Sequence, residues 1–237
     1  MTTDTEMEVP GGPLGTRPLH FIWIADCSGS MKKDGKIQAL NLAIRESIPH
    51  MRKVADENPN AELLVRALKF SSGAQWHIAQ PTPIASFMEK WTDLAAEGAT
   101  DMGRALSEMA DKLRIPPMEE RALPPVLVML SDGQPTDDFM GGLKALEAQP
   151  WGKKSVRVAI AIGGDADNEV LSRFMGHAEF KPLQANSPEQ LVEYIKWVST
   201  VVVQSVSAPP SQKTSTQGVV VPVPHPPGAD VKAEDVW

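Results

Sequence analysis

The stretch Leu19-His20-Phe21-Ile22-Trp23-Ile24-Ala25-Asp26-Cys27-Ser28-Gly29-Ser30-Met31 decides the reading, because an apolar run ends abruptly in an acid and two hydroxyls. Residues 21–25 lack helical periodicity, which suits a strand in a sheet covered on both faces. Asp26, Ser28 and Ser30 share one parity, so their oxygens converge as the strand turns into a loop, with Gly29 permitting a sharp turn. Hard oxygen donors of this kind suit Mg²⁺, with Mn²⁺ as the other ion the set would accept.

On the N-terminal side, residues 1–17 hold Pro10, Gly11, Gly12, Pro13 and Gly15 and read as a flexible leader. On the C-terminal side, Ile37, Leu40, Ala43, Ile44, Ile48 and Met51 recur at helical spacing, predicting a helix from Lys36 that Pro49 kinks or divides. Residues 61–70 read as a second strand. Ser71-Ser72-Gly73-Ala74 turns into a short antiparallel edge strand, 75–79, which Pro81 and Pro83 stop from extending. A short helix is expected near residues 87–91.

Glu97-Gly98-Ala99-Thr100-Asp101 then places a second glycine-flanked hydroxyl before a helix striped by Met102, Leu106, Met109, Ala110 and Leu113 and ended by Pro116-Pro117. Residues 126–130 are the most strand-like in the chain and run into Ser131-Asp132-Gly133-Gln134-Pro135-Thr136-Asp137-Asp138. Thr136, Asp137 or Asp138 caps the next helix, with Leu143, Ala145 and Leu146 inward and Pro150 as its stop. A strand at 155–162, a helix at 168–175, a brief strand at 180–183 and a helix at 188–206 complete the pattern.

Such alternation implies an α/β fold: a mainly parallel central sheet, one antiparallel edge strand and helices on both faces. Ligands in that architecture bind beyond the carboxyl ends of the strands, where strand order reverses. From about residue 207 the pattern collapses into a Pro-rich tail ending in Lys232-Ala233-Glu234-Asp235-Val236-Trp237. It reads either as disordered solvation or as a docking end anchored by Trp237.

Composition narrows the function. At 237 residues and 42% hydrophobic content the chain can bury one sizeable core. A net charge of -7 and a pI near 5.3 argue against nucleic acid held by a broad basic field and favour a cation. Cys27 is the single cysteine, which excludes an intrachain disulfide and a cysteine-based zinc cluster and fits a reducing, cytoplasmic setting. Neither a secretory signal nor a membrane-spanning run is read in the sequence. His20, His50, His77, His177 and His225 lack metal-ligand spacing.

Taken together, Asp26-x-Ser28-x-Ser30, Gly98-Ala99-Thr100 and Ser131-Asp132-Gly133 resemble the metal-ion-dependent adhesion site (MIDAS) of von Willebrand factor A (VWA) domains, over about residues 19–205. Asp-x-Ser-Gly-Ser-Met, Ser-Asp-Gly-x-Pro-Thr-Asp-Asp and Pro150-Trp151-Gly152-Lys153-Lys154 are similar to the bacterial TerY-like branch found with tellurium-resistance and stress genes. The resemblance implies a Rossmann-like VWA domain over 18–206. It also implies Mg²⁺ held by Ser28, Ser30 and Thr100, with Asp26 and Asp132 engaging mainly through water. A partner protein would supply a Glu or Asp to the ion. A Ser/Thr kinase and a PP2C-type phosphatase are the partners it suggests.

Other readings stand beside it. Asp101 is either a helix cap or an outer group of the ion site, and Cys27 either a buried small side chain or a redox-sensitive thiol. A Mg²⁺-dependent phosphohydrolase would also use an acid at a strand end, but Ser28 stands where such enzymes place a second acid. A metal-free scaffold is the third function class.

Overall fold

The apolar run forms the strand β1, Arg17–Asp26, in a computed structural model that describes residues 16–177 and 180–207. The expected leader and the tail with its Trp237 end lie outside the described residues, apart from the few that adjoin the fold. The other strands are β2 (Ala61–Ser71), β3 (Gly73–Pro83), β4 (Val126–Ser131), β5 (Val156–Ile162) and β6 (Leu183–Ala185). They form one sheet in the order β3-β2-β1-β4-β5-β6, parallel throughout except for the antiparallel β2-β3 edge pair.

Every residue of β1 from Leu19 to Asp26 is buried, which explains the absence of alternation in its sequence. Leu19, Phe21, Trp23 and Ala25 join a core with α1 (Lys36–Asp56) and α7 (Pro188–Trp197). Ile22 and Ile24 face the opposite core, with α3 (Met102–Lys112), α4 (Phe139–Ala148) and α6 (Asn168–Met175). Two short helices, α2 (Phe87–Lys90) and α5 (Pro150–Lys154), fill connections. The layered α/β architecture is therefore the one the alternation predicts.

Several local expectations change. Pro49 does not divide α1: it lies on the exposed side, while Ile44, Ile48, Met51 and Val54 hold the helix to the sheet. Nor do the prolines stop β3. Pro81 falls in the irregular stretch where register shifts between Val65 and Ala67, and pairing resumes at Thr82 and Pro83.

The brief sixth strand falls later than expected, because its register sets Leu183 beside Ile160 and buries Ala185 beside Ile162; Phe180 instead packs against the second core. The last helix passes through a π-helical turn, Val198–Val202, into α8, Val203–Ser207. In that turn the Ser199 and Thr200 hydroxyls donate to the carbonyls of Ile195 and Lys196.

Helices α3 and α4 meet glycine to glycine. A Cβ on Gly142 would stand 2.1 Å from the Gly103 carbonyl oxygen, and one on Gly103 2.2 Å from that of Asp138. Both distances are far inside contact, so the backbones approach as closely as they do because both positions lack side chains. Gly142→Ala should therefore destabilise the protein by about 1–3 kcal/mol through overpacking. A urea titration checks this, and an unchanged midpoint would contradict the close approach.

Candidate metal centre

Strand order reverses between β1 and β4, the two central parallel neighbours, and the candidate residues gather beyond their carboxyl ends. Pairing of Ala25 with Leu130 brings Asp26, the last residue of β1, level with Ser131, the last of β4. The Ser131 hydroxyl donates to Asp26 Oδ2 at 2.5 Å, and the Ser28 backbone N–H donates to Oδ1 at 2.8 Å. Ser28 Oγ and Ser30 Oγ lie 2.9 Å apart, and the Ser30 hydroxyl donates to Asp132 Oδ1 at 2.6 Å. One continuous line of oxygens thus joins Ser28, Ser30 and Asp132.

Thr100 arrives from a third loop. Gly29 N–H donates to the Gly98 carbonyl, and Glu97 N–H to that of Cys27, stitching this loop to the turn after β1. Thr100 and Thr136 are tied twice: Thr100 N–H donates to Thr136 Oγ1 at 3.0 Å, and Thr136 N–H to the Thr100 carbonyl at 2.9 Å. A methyl at Gly133 would lie 3.7 Å from Thr100 Oγ1 and 3.8 Å from Ser30 Oγ, so both hydroxyls border the same small space. Ser30 and Gly133 are half-buried, which opens that space to solvent on one side.

The acids after Thr100 and Asp132 serve as braces. Asp101 does not cap α3 with its side chain, as one reading expected. Its carboxylate accepts from Gly73 N–H at 2.7 Å and from the Thr136 hydroxyl at 3.1 Å. Asp137 takes the capping role at α3 from across the fold, accepting from Gly103 N–H and Arg104 N–H at 2.8 and 2.7 Å. Asp138 caps α4 through Gly141 N–H, in line with the sequence reading.

Charge sets the chemistry of this edge. Asp26 and Asp132 are both 0% exposed. Burial raises the Asp26 pKa, and the nearby Asp132 charge adds to the rise, while hydrogen bonds from Ser131 and Ser28 pull it back. Lys36 Nζ donates to Asp132 Oδ2 at 2.9 Å from a side chain that is 3% exposed. Asp132 is thus paired with an ammonium while Asp26 is held by the neutral donors Ser131 and Ser28, and a buried carboxylate without a cation is costly. The donor set fits a divalent ion, which would supply the missing positive charge.

Sequence reasoning missed Lys36, Ser131 and Thr136. For Lys36 a signal existed: it is a basic residue opening a helix, the end where the backbone dipole disfavours it. Cys27 is buried, and burial above all, with the Asp26 charge, pushes its thiol up to about 12, which marks it as an inert small side chain.

Among the described residues no group of three or more His, Cys, Asp or Glu is placed to hold a metal. His20 belongs instead to a network that runs from the buried Arg66 to the exposed Glu119. The Arg66 guanidinium can only donate, so Nδ1 accepts from it and Nε2–H donates to Glu119, and burial lowers the ring's pKa.

No protein-family model matches the chain, and no curated protein matches it in sequence. Solved structures do match its fold. The von Willebrand factor type A protein from Catenulispora acidiphila superposes with a TM-score of 0.58 at 19% identity, covering 78% of this chain and 42% of that one. The ArnB paralog VWA2 from Sulfolobus acidocaldarius gives a TM-score of 0.53 at 18% identity, over 76% and 45%. Proximal thread matrix protein 1 from the mussel byssus, solved with a zinc-occupied MIDAS motif, gives 0.57 at 18% identity, over 79% and 46%.

The fold is that of the VWA domain. The chain spans less than half the length of each of these structures.

Because Asp137 alone supplies both side-chain acceptors at the start of α3, Asp137→Ala should lower the unfolding free energy by about 1–2 kcal/mol. Equilibrium denaturation measures this; wild-type stability in the variant would remove Asp137 from the frame that holds Thr100.

Proposed function

We propose that this chain is a Mg²⁺-dependent protein-interaction module in which Ser28, Ser30 and Thr100 hold the ion, with Asp26 and Asp132 reaching it through water. One observation carries the reading. Three hydroxyls and two fully buried carboxylates meet at the sheet's switch point, and among the described residues the one ammonium bonded to them is that of Lys36, on Asp132. Neutral hydroxyls and outer carboxylates suit Mg²⁺, which keeps waters and so leaves positions that another ligand can take. The ion, when bound, offers a Lewis-acid position to a Glu or Asp of a partner protein.

The zinc-occupied MIDAS of the mussel protein supports divalent-metal chemistry on this fold; Mg²⁺, or Mn²⁺ in its place, is our assignment for this chain. Ser28 stands where a phosphohydrolase would place its second acid, and the neighbouring Asp132 is engaged by Lys36 and Ser30. That favours recognition over hydrolysis. Ser131, hydrogen-bonded to Asp26, further commits that carboxylate to the frame.

The motif resemblance to the TerY-like branch extends the proposal to a bacterial stress-response or tellurium-resistance setting, with a Ser/Thr kinase and a PP2C-type phosphatase as partners. In this reading residues 18–206 are the VWA domain, flanked by a leader and a Pro-rich tail, and the protein works in the cytoplasm. Among the described residues no helix is long and apolar enough to cross a membrane.

Mg²⁺ binding only to the native fold must raise stability with concentration, by about 2.7 kcal/mol at a hundredfold excess over Kd. Thermal unfolding across a Mg²⁺ titration should show that rise in wild type and its loss in Ser28→Ala, with the metal-free melting temperature of the variant unchanged. A wild-type protein indifferent to Mg²⁺ and Mn²⁺ would replace this reading with the metal-free scaffold.

A further inference from the structure

Lys36 opens α1 directly after two left-handed residues, Asp34 at φ 52° and Gly35 at φ 74°. A non-glycine residue in that region is uncommon, and the pair turns the chain so that a lysine enters the interior at 3% exposure. Nothing about the helix favours a cation there. The N-terminal end of the dipole is positive, and the first turn of α1 holds no acid. What Lys36 gains is Asp132, whose Oδ2 it engages while Oδ1 accepts from Ser30. One carboxylate thus faces the ammonium with one oxygen and the hydroxyl line with the other.

We infer that Lys36 is a fixed positive charge of the metal centre: it stands in for part of the ion's charge when the site is empty and weakens the hold on the ion when the site is full. This rests on the metal-dependent reading above. With no ion, the two carboxylates and Lys36 sum to -1, a charge the fold can carry. With a divalent ion the sum is +1, so the loaded centre stays attractive to an incoming carboxylate. Without Lys36 the same sums are -2 and zero. The empty site is then harder to bury, and the ion meets two carboxylates with no competing cation. Lys36 therefore lowers affinity for the metal and leaves the loaded site electrophilic.

Calorimetric titration of the full chain with Mg²⁺, and with Mn²⁺ as a second probe, tests this alongside thermal unfolding in chelator. Lys36→Met should melt several degrees below wild type without metal, yet bind the ion at least about tenfold more tightly. Lys36→Arg, which keeps the charge, should stay within about threefold of wild type for the metal. A lysine that merely packs would lower stability and leave metal affinity equal or weaker.

Metal affinity of Lys36→Met at or below that of wild type, in a protein whose own binding is abolished by Ser28→Ala, overturns the inference and leaves the metal reading intact. Absence of binding in wild type and both Lys36 variants overturns the metal reading itself. Should Lys36→Met be unfolded in chelator, recovery of the native fold in saturating Mg²⁺ is the expected result; failure to recover overturns the inference.

Discussion

Two carboxylates with no exposure, side by side at the centre of a parallel sheet, are the constraint around which this molecule is arranged. Like charges in a low-dielectric interior repel and resist desolvation, so the fold must supply compensation from nearby elements. It does so with the Ser131 and Ser30 hydroxyls, the Ser28 N–H and the Lys36 ammonium. These groups come from residues 28–36 and the end of β4, and the Thr100 loop joins them as a third segment. The carboxyl edge of the sheet is consequently a junction that all three must reach in register.

The bracing around that junction is mostly backbone and short side chain. The turn after β1 is stitched to the 97–98 segment, Thr100 to Thr136, and Asp137 to the start of α3. Glycines at 103 and 142 let α3 and α4 approach until no methyl fits between them. Such parts position hydroxyls with little conformational freedom, which suits a centre that gathers neutral oxygens more than it gathers charge.

Much of this was legible before any coordinates. The unbroken hydrophobicity of residues 21–25 and 126–130 marked central strands, and an acid at the end of each marked the edge between them. The stripes of α1 and α3, and the short helix expected at 168–175, gave helices close to their observed bounds. Local rules failed where tertiary packing outweighed them. Pro49 was tolerated because its face is exposed, and Pro81 because a bulge already interrupts the ladder.

Long-range pairings were the other blind spot. Nothing adjacent to Asp137 in sequence says that it caps α3 in place of Asp101, and Lys36 meets Asp132 across 96 residues. The basic residue at the wrong end of a helix was the one local hint, and its explanation lies in the loop after β4.

The most direct test is anomalous diffraction from a crystal equilibrated with Mn²⁺, whose signal locates the ion independently of its ligands. A single strong peak bounded by the hydroxyls of Ser28, Ser30 and Thr100, beside the Lys36-bound carboxylate of Asp132, is the predicted result. A peak at another place in the fold, or none at saturating Mn²⁺, would contradict a metal centre at this edge.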